Sequence, residues 1–125
     1  KALTILDCKK IGVPREVLTK ALHAEGLEGV CNGYVNVHML PIFQKKIAYG
    51  KRGYPWSQLS LDRDINYSKG ICPVAEELND YSFIGFEMCL HELTDYEVEK
   101  MIAVFRKVWS SIDQLKINFE KGLIN

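Results

Sequence analysis

The sequence predicts an α+β fold, a two-layer sandwich of helices around a small three-stranded sheet, antiparallel or mixed. Three observations carry that prediction. Three short β-prone runs are spread along the chain, around Ala2–Asp7, Val30–Val37 and Ser82–Cys89. Two segments with apolar residues at helical spacing follow Pro14 and Thr94. Strands and helices alternate without any internal repeat, so each amphipathic face needs a partner from another element.

Taken in order, Ala2–Asp7 places Leu3, Ile5 and Leu6 in a β-prone run. Gly12-Val13-Pro14 punctuates the chain, and Pro14 suits the first helical position, where its missing N–H costs nothing. Val17, Leu18, Ala21 and Leu22 then recur at helical spacing, and Gly26 is a natural stop. Val30–Val37 reads as a second strand, with Gly33 marking a bulge. A short helix is expected after Pro41. Residues 50–70 are polar and irregular, a long excursion of the kind that is commonly functional, mobile or packed on a partner. Pro73 restarts order as the first residue of a short helix to about Asn79. Ser82–Cys89 is apolar on both faces and belongs in the interior of the sheet. Thr94-Asp95-Tyr96-Glu97 is a capping box, with Leu93 and Val98 as its staple. The last helix carries one stripe: Val98, Met101, Ile102, Phe105, Val108, Trp109, Ile112 and Leu115.

A length of 125 residues suggests one domain, large enough for a core without staples. Sixteen basic and sixteen acidic residues cancel, so bulk charge draws the chain to neither nucleic acid nor an anionic membrane. No apolar run reaches the roughly 18 residues of a membrane span. Cys8, Cys31, Cys72 and Cys89 are irregularly spaced and form no short ligand pair, so they read as single thiols in a reduced cytosol rather than a metal site.

Four blocks in order resemble the tail of the DegT/DnrJ/EryC1/StrS family of sugar aminotransferases. They are Gly12–Leu27, with Arg15 and the closing Glu25-Gly26; Tyr34–Phe43, with His38 and Pro41; Cys72-Pro73-Val74-Ala75-Glu76-Glu77-Leu78; and Leu90–Val108. Asn36 departs from the family pattern where proline is common, and Met88-Cys89-Leu90 departs where a Leu-Pro pair often leads into the last helix. The resemblance implies a mostly antiparallel three-stranded sheet, as in the small domain of fold-type-I aminotransferases. It implies that residues 1–125 are a single C-terminal small domain, joined to an upstream domain that binds pyridoxal phosphate (PLP). It further implies a cytoplasmic homodimer acting on a nucleotide-linked or free sugar with an amino donor. The start at Lys1 fits a cut piece. No lysine here has the glycine-rich context of the family's Schiff-base lysine; Lys69, with Gly70 after it, comes nearest. The fragment alone is therefore expected to be inactive. The alternative is a stand-alone α+β module for ligand sensing or protein interaction, and the sequence encoded before Lys1 distinguishes the two.

By the same block match, His38 and Tyr34 are the candidate substrate-binding residues. His38 would lie on the loop leaving the second strand near the substrate cleft; the structural alternative is a histidine bonded within its turn or packed under Phe43. Tyr34 offers a hydroxyl to the same cleft, or is an ordinary strand aromatic. Lys51 and Arg52 suit an anionic substrate group or a solvated loop tip. His91 reads as support for the turn before the last helix, and Trp56 and Trp109 as packing residues. No catalytic, cofactor-binding or metal residue is expected within the chain.

Overall fold

A computed structural model describes residues 2–58, 65–87 and 92–124. The chain divides into two compact units, Lys1–Gly33 with Asp80–Asn125, and Tyr34–Asn79.

The first unit holds a three-stranded antiparallel sheet with β1 (Ala2–Ile5), β2 (Val30–Cys31) and β3 (Phe83–Phe86) in the order β1-β3-β2. The chain is thus α+β with β3 interior, as its two-sided apolar character predicts. The register pairs Ile5 with Phe83 on one side of β3, and Val30 with Phe86 on the other. Gly85 permits close approach here. A Cβ at that position would lie 2.8 Å from Cys31 Sγ.

The second strand is much shorter than expected. Pairing stops at Cys31, and Tyr34–Val37 are not in the sheet. Gly33 takes φ +69°, which turns the backbone out of the extended region. Asn32 is held by its side chain, whose Oδ1 accepts from Thr19 Oγ1 at 2.5 Å. The first strand also ends earlier than expected, because Asp7 caps a four-residue helix, α1 (Cys8–Ile11), by accepting the Lys10 N–H. A single turn leaves no apolar period to detect.

Helix α2 (Arg15–Ala24) begins one residue after the position expected for Pro14, which serves as the N-cap. It buries Val17, Leu18 and Leu22. Its end is a Schellman motif: the Leu27 N–H donates to Leu22 C=O at 3.0 Å and the Gly26 N–H to His23 C=O at 2.9 Å. Gly26 takes φ +87°, which glycine adopts without a Cβ penalty. Leu22 and Leu27, the two apolar residues that flank this motif, both join the core.

The predicted capping box opens α5 (Asp95–Ser110). The Thr94 N–H donates to Glu97 Oε2 at 2.8 Å, and the Glu97 N–H returns to Thr94 Oγ1 at 3.3 Å. The expected single stripe to Leu115 is broken at Ser111, and Ile112 and Leu115 belong to a separate helix, α6 (Ile112–Glu120). At the break, Ser110 Oγ donates to Lys107 C=O at 2.8 Å, a local bond that competes with helix continuation. The core joins Leu6 after β1, Val17, Leu18 and Leu22 of α2, Ile84 and Phe86 of β3, and Val108 of α5. Phe105 is only half-buried, edge-on to Phe86 at 5.1 Å between ring centroids. Trp109, expected in the packed stripe, is about half exposed.

One charged side chain ties this unit together. Arg15 is 5% exposed. Its guanidinium donates to Phe83 C=O at 3.2 Å, to Asp80 C=O at 3.0 Å and to Glu16 Oε1 at 2.8 Å. Asp80 lies in a wide π-helical turn, Leu78–Ser82, which replaces the end of the helix expected to run to Asn79. The widened turn thus has one of its carbonyls met by Arg15.

In the second unit, Val37–Met39 form a 3-10 turn, followed by α3 (Pro41–Lys45) and a bridge between Tyr49 and Tyr54. Helix α4 (Pro73–Glu77) has Pro73 at its start, as expected. Within the excursion, Trp56–Gln58 form a further 3-10 turn.

Candidate functional site

The candidate site lies in the second unit and is built on Glu76. Pro73 starts α4, the Glu76 N–H donates to Cys72 C=O, and the Glu76 carboxylate turns back over the segment before the helix. It accepts the Gly70 N–H at 2.8 and 2.9 Å on its two oxygens, and the Cys72 N–H at 3.3 Å. Gly70 takes φ +97°, a conformation that favours glycine. His38 Nε2 lies 2.9 Å from Glu76 Oε1. Both side chains are about nine-tenths buried.

The electrostatics follow from these contacts. Burial alone pushes the Glu76 carboxyl up. The Gly70 N–H, then the Cys72 N–H and then the His38 hydrogen bond and charge outweigh it, so the group sits below the usual glutamate value. Glu76 is therefore an ionised, almost buried carboxylate whose stability depends on a full set of donors.

His38 is fixed from its backbone as well. Gln44 Nε2 donates to His38 C=O at 2.7 Å and to Tyr67 C=O at 2.6 Å. Tyr67 packs 5.2 Å from Phe43 and accepts the Trp56 indole N–H at 3.1 Å through its hydroxyl. Trp56 stands edge-on to both rings. His38, Phe43 and Tyr67 border an open, largely apolar hollow of about 410 Å³, with Val35, Cys72 and Ala75 also in its wall.

Of the two residues singled out from sequence, His38 lines this hollow and Tyr34 does not. The Tyr34 N–H donates to Asn79 Oδ1 at 2.9 Å, while the residue is 90% exposed. Lys51 and Arg52 are exposed, Trp56 belongs to the aromatic cluster, and His91 and Cys89 lie outside the described residues. The sequence by itself does not single out Glu76, which appears there only as one of two adjacent glutamates in a short helix. The available signal was its position: it follows Cys72-Pro73 by the spacing that turns it back over the helix start, while Glu77 does not share that geometry.

Among the described residues, no group of three His, Cys, Asp or Glu side chains is placed to hold a metal ion. Among the described residues no lysine lines the hollow, and Lys69 is exposed on the loop before Gly70. The hollow therefore does not fit PLP, whose aldehyde needs a lysine. None of the described helices is long and apolar enough to cross a membrane. Comparison with protein-family models, curated proteins and solved structures found no match.

Proposed function

We propose that this chain is the small C-terminal domain of a PLP-dependent sugar aminotransferase, with the Schiff-base lysine and cofactor site on an upstream domain. Its sheet and helices form the two-layer sandwich of that domain, which helps close the cleft of a cytoplasmic homodimer over a free or nucleotide-linked sugar. The observation that supports this reading is the placement of His38. It stands in the Tyr34–Phe43 block of the resemblance and in the wall of a hollow with Phe43 and Tyr67, where an aromatic face and a polar ring meet. That combination suits a sugar ring, which offers C–H faces to aromatics and hydroxyls to a polar partner.

Two experiments test it. In the complete enzyme, His38→Ala is expected to lower kcat/KM on nucleotide-linked keto sugars, with an amino acid as donor, while the PLP spectrum stays intact. Loss of one hydrogen bond corresponds to about 0.5–3 kcal/mol. Unchanged kinetics with a large loss of thermal stability would make His38 a structural residue of its turn. The 125-residue chain mixed with PLP is expected to form no stoichiometric aldimine; a borohydride-trapped adduct at one lysine refutes the proposed division of labour.

A further inference from the structure

The hydrogen bonds around Glu76 decide which nitrogen of His38 carries the proton. Gly70 and Cys72 present backbone N–H groups, which only donate. A carboxylate receiving them on both oxygens stays ionised and only accepts. The group 2.9 Å from Oε1 must then be an N–H, so Nε2 is protonated. In the neutral ring Nδ1 is left as a bare lone pair. Among the described residues it meets no side-chain or backbone partner, since the only further bond at His38 is to its own C=O.

We propose that Glu76 is a positioning residue that holds His38 in the Nε2–H tautomer, so that the hollow beside Phe43 and Tyr67 offers a hydrogen-bond acceptor to a ligand's hydroxyl or N–H group. This rests on the reading of His38 as a substrate contact and narrows it. A sugar hydroxyl can donate to Nδ1, whereas an ionised phosphate oxygen has no proton to give. The backbone N–H bonds also oppose the reverse arrangement, a neutral carboxyl donating to bare Nε2, because they stabilise the ionised form.

Nitrogen-15 NMR of the imidazoles in the 125-residue chain tests this, at a pH where the rings are neutral. For His38 the expected result is a protonated Nε2, an unprotonated Nδ1, and an Nε2-bound proton shifted downfield and slow to exchange with water. A proton on Nδ1 overturns the proposal. In Glu76→Gln the acceptor is no longer charged, so that proton is expected to move upfield and exchange roughly tenfold faster. An unchanged proton resonance and exchange rate would also overturn Glu76's role. If Glu76→Gln fails to fold, the tautomer of the unaltered chain still decides. In the complete enzyme, His38→Gln keeps a side-chain amide for Glu76 but removes Nδ1, and is expected to lose about tenfold in kcat/KM with little change in Tm. The two failures are separable. An Nε2–H tautomer with unaffected His38→Ala kinetics sinks the substrate reading, and with it the ligand contact, but leaves Glu76's hold on the tautomer standing; an Nδ1–H tautomer with impaired His38→Ala kinetics sinks this inference alone.

Discussion

Arg15→Met is the substitution that tests the architecture of the sheet-bearing unit most directly. The thioether roughly preserves the apolar volume and removes the guanidinium. Arg15 donates to Phe83 C=O at 3.2 Å and Asp80 C=O at 3.0 Å, and is 5% exposed. Hydrogen bonds from a charged donor are worth about 1.5–3 kcal/mol each, so losing two costs about 3–6 kcal/mol. A methionine packed in the same place loses about as much rotamer freedom as the arginine, so little is returned in side-chain entropy. The net expectation is a loss of about 3–6 kcal/mol, a large share of the stability of a domain this size. The third partner, Glu16, is half exposed at 49%, so Glu16→Gln is expected to change stability by less than about 1 kcal/mol and serves as the control. A urea titration at neutral pH reads both. Arg15→Lys should fall between, since one ammonium cannot reach two carbonyls with the geometry of a guanidinium fork. If Arg15→Met lies within about 0.5 kcal/mol of the unaltered chain at the same m-value, Arg15 does not brace the Leu78–Ser82 turn.

Glu76 has a definite pH signature. Its folded pKa is below the ordinary 4.5, so its stabilisation is fully present above 4.5 and is lost as pH falls below that toward the folded value. The stability gap between the unaltered chain and Glu76→Gln, followed by urea titration from pH 7 to 3, should shrink over that acid range; a gap that grows there contradicts the assignment. Thr94→Ala removes the N-cap of α5 and should cost about 1 kcal/mol by the same titration. Gly85→Ala places a Cβ 2.8 Å from Cys31 Sγ and should cost about 1–3 kcal/mol. Adding Cys31→Ala should recover part of that loss; a purely additive double mutant would place the strain elsewhere.

How much of the molecule is legible in its sequence depends on the distance over which each feature is decided. Thr94 and Glu97 are three residues apart, and their reciprocal bonds need nothing beyond the helix itself. Gly26 likewise ends α2 through bonds that reach back no further than Leu22. The candidate site is different. The Tyr34–Phe43 block points to His38, but its partner lies 38 positions away. Tyr34, from the same block, is exposed to solvent.

Local chemistry in the chain determined the helix caps, the proline starts, the α+β class and the interior position of β3, because capping, φ restriction and hydrophobic period act between near neighbours. Tertiary structure decided where β2 stops and that Arg15 and Glu76 are buried at all, whereas the split of the last amphipathic stripe at Ser111 is accompanied by a local bond, Ser110 Oγ to Lys107 C=O. A charged side chain leaves water only where several donors or acceptors, local or distant, converge on it. Gly70, Cys72 and His38 converge on Glu76 in that way, as the Phe83 and Asp80 carbonyls do on Arg15. Those convergences exist only once the chain has folded.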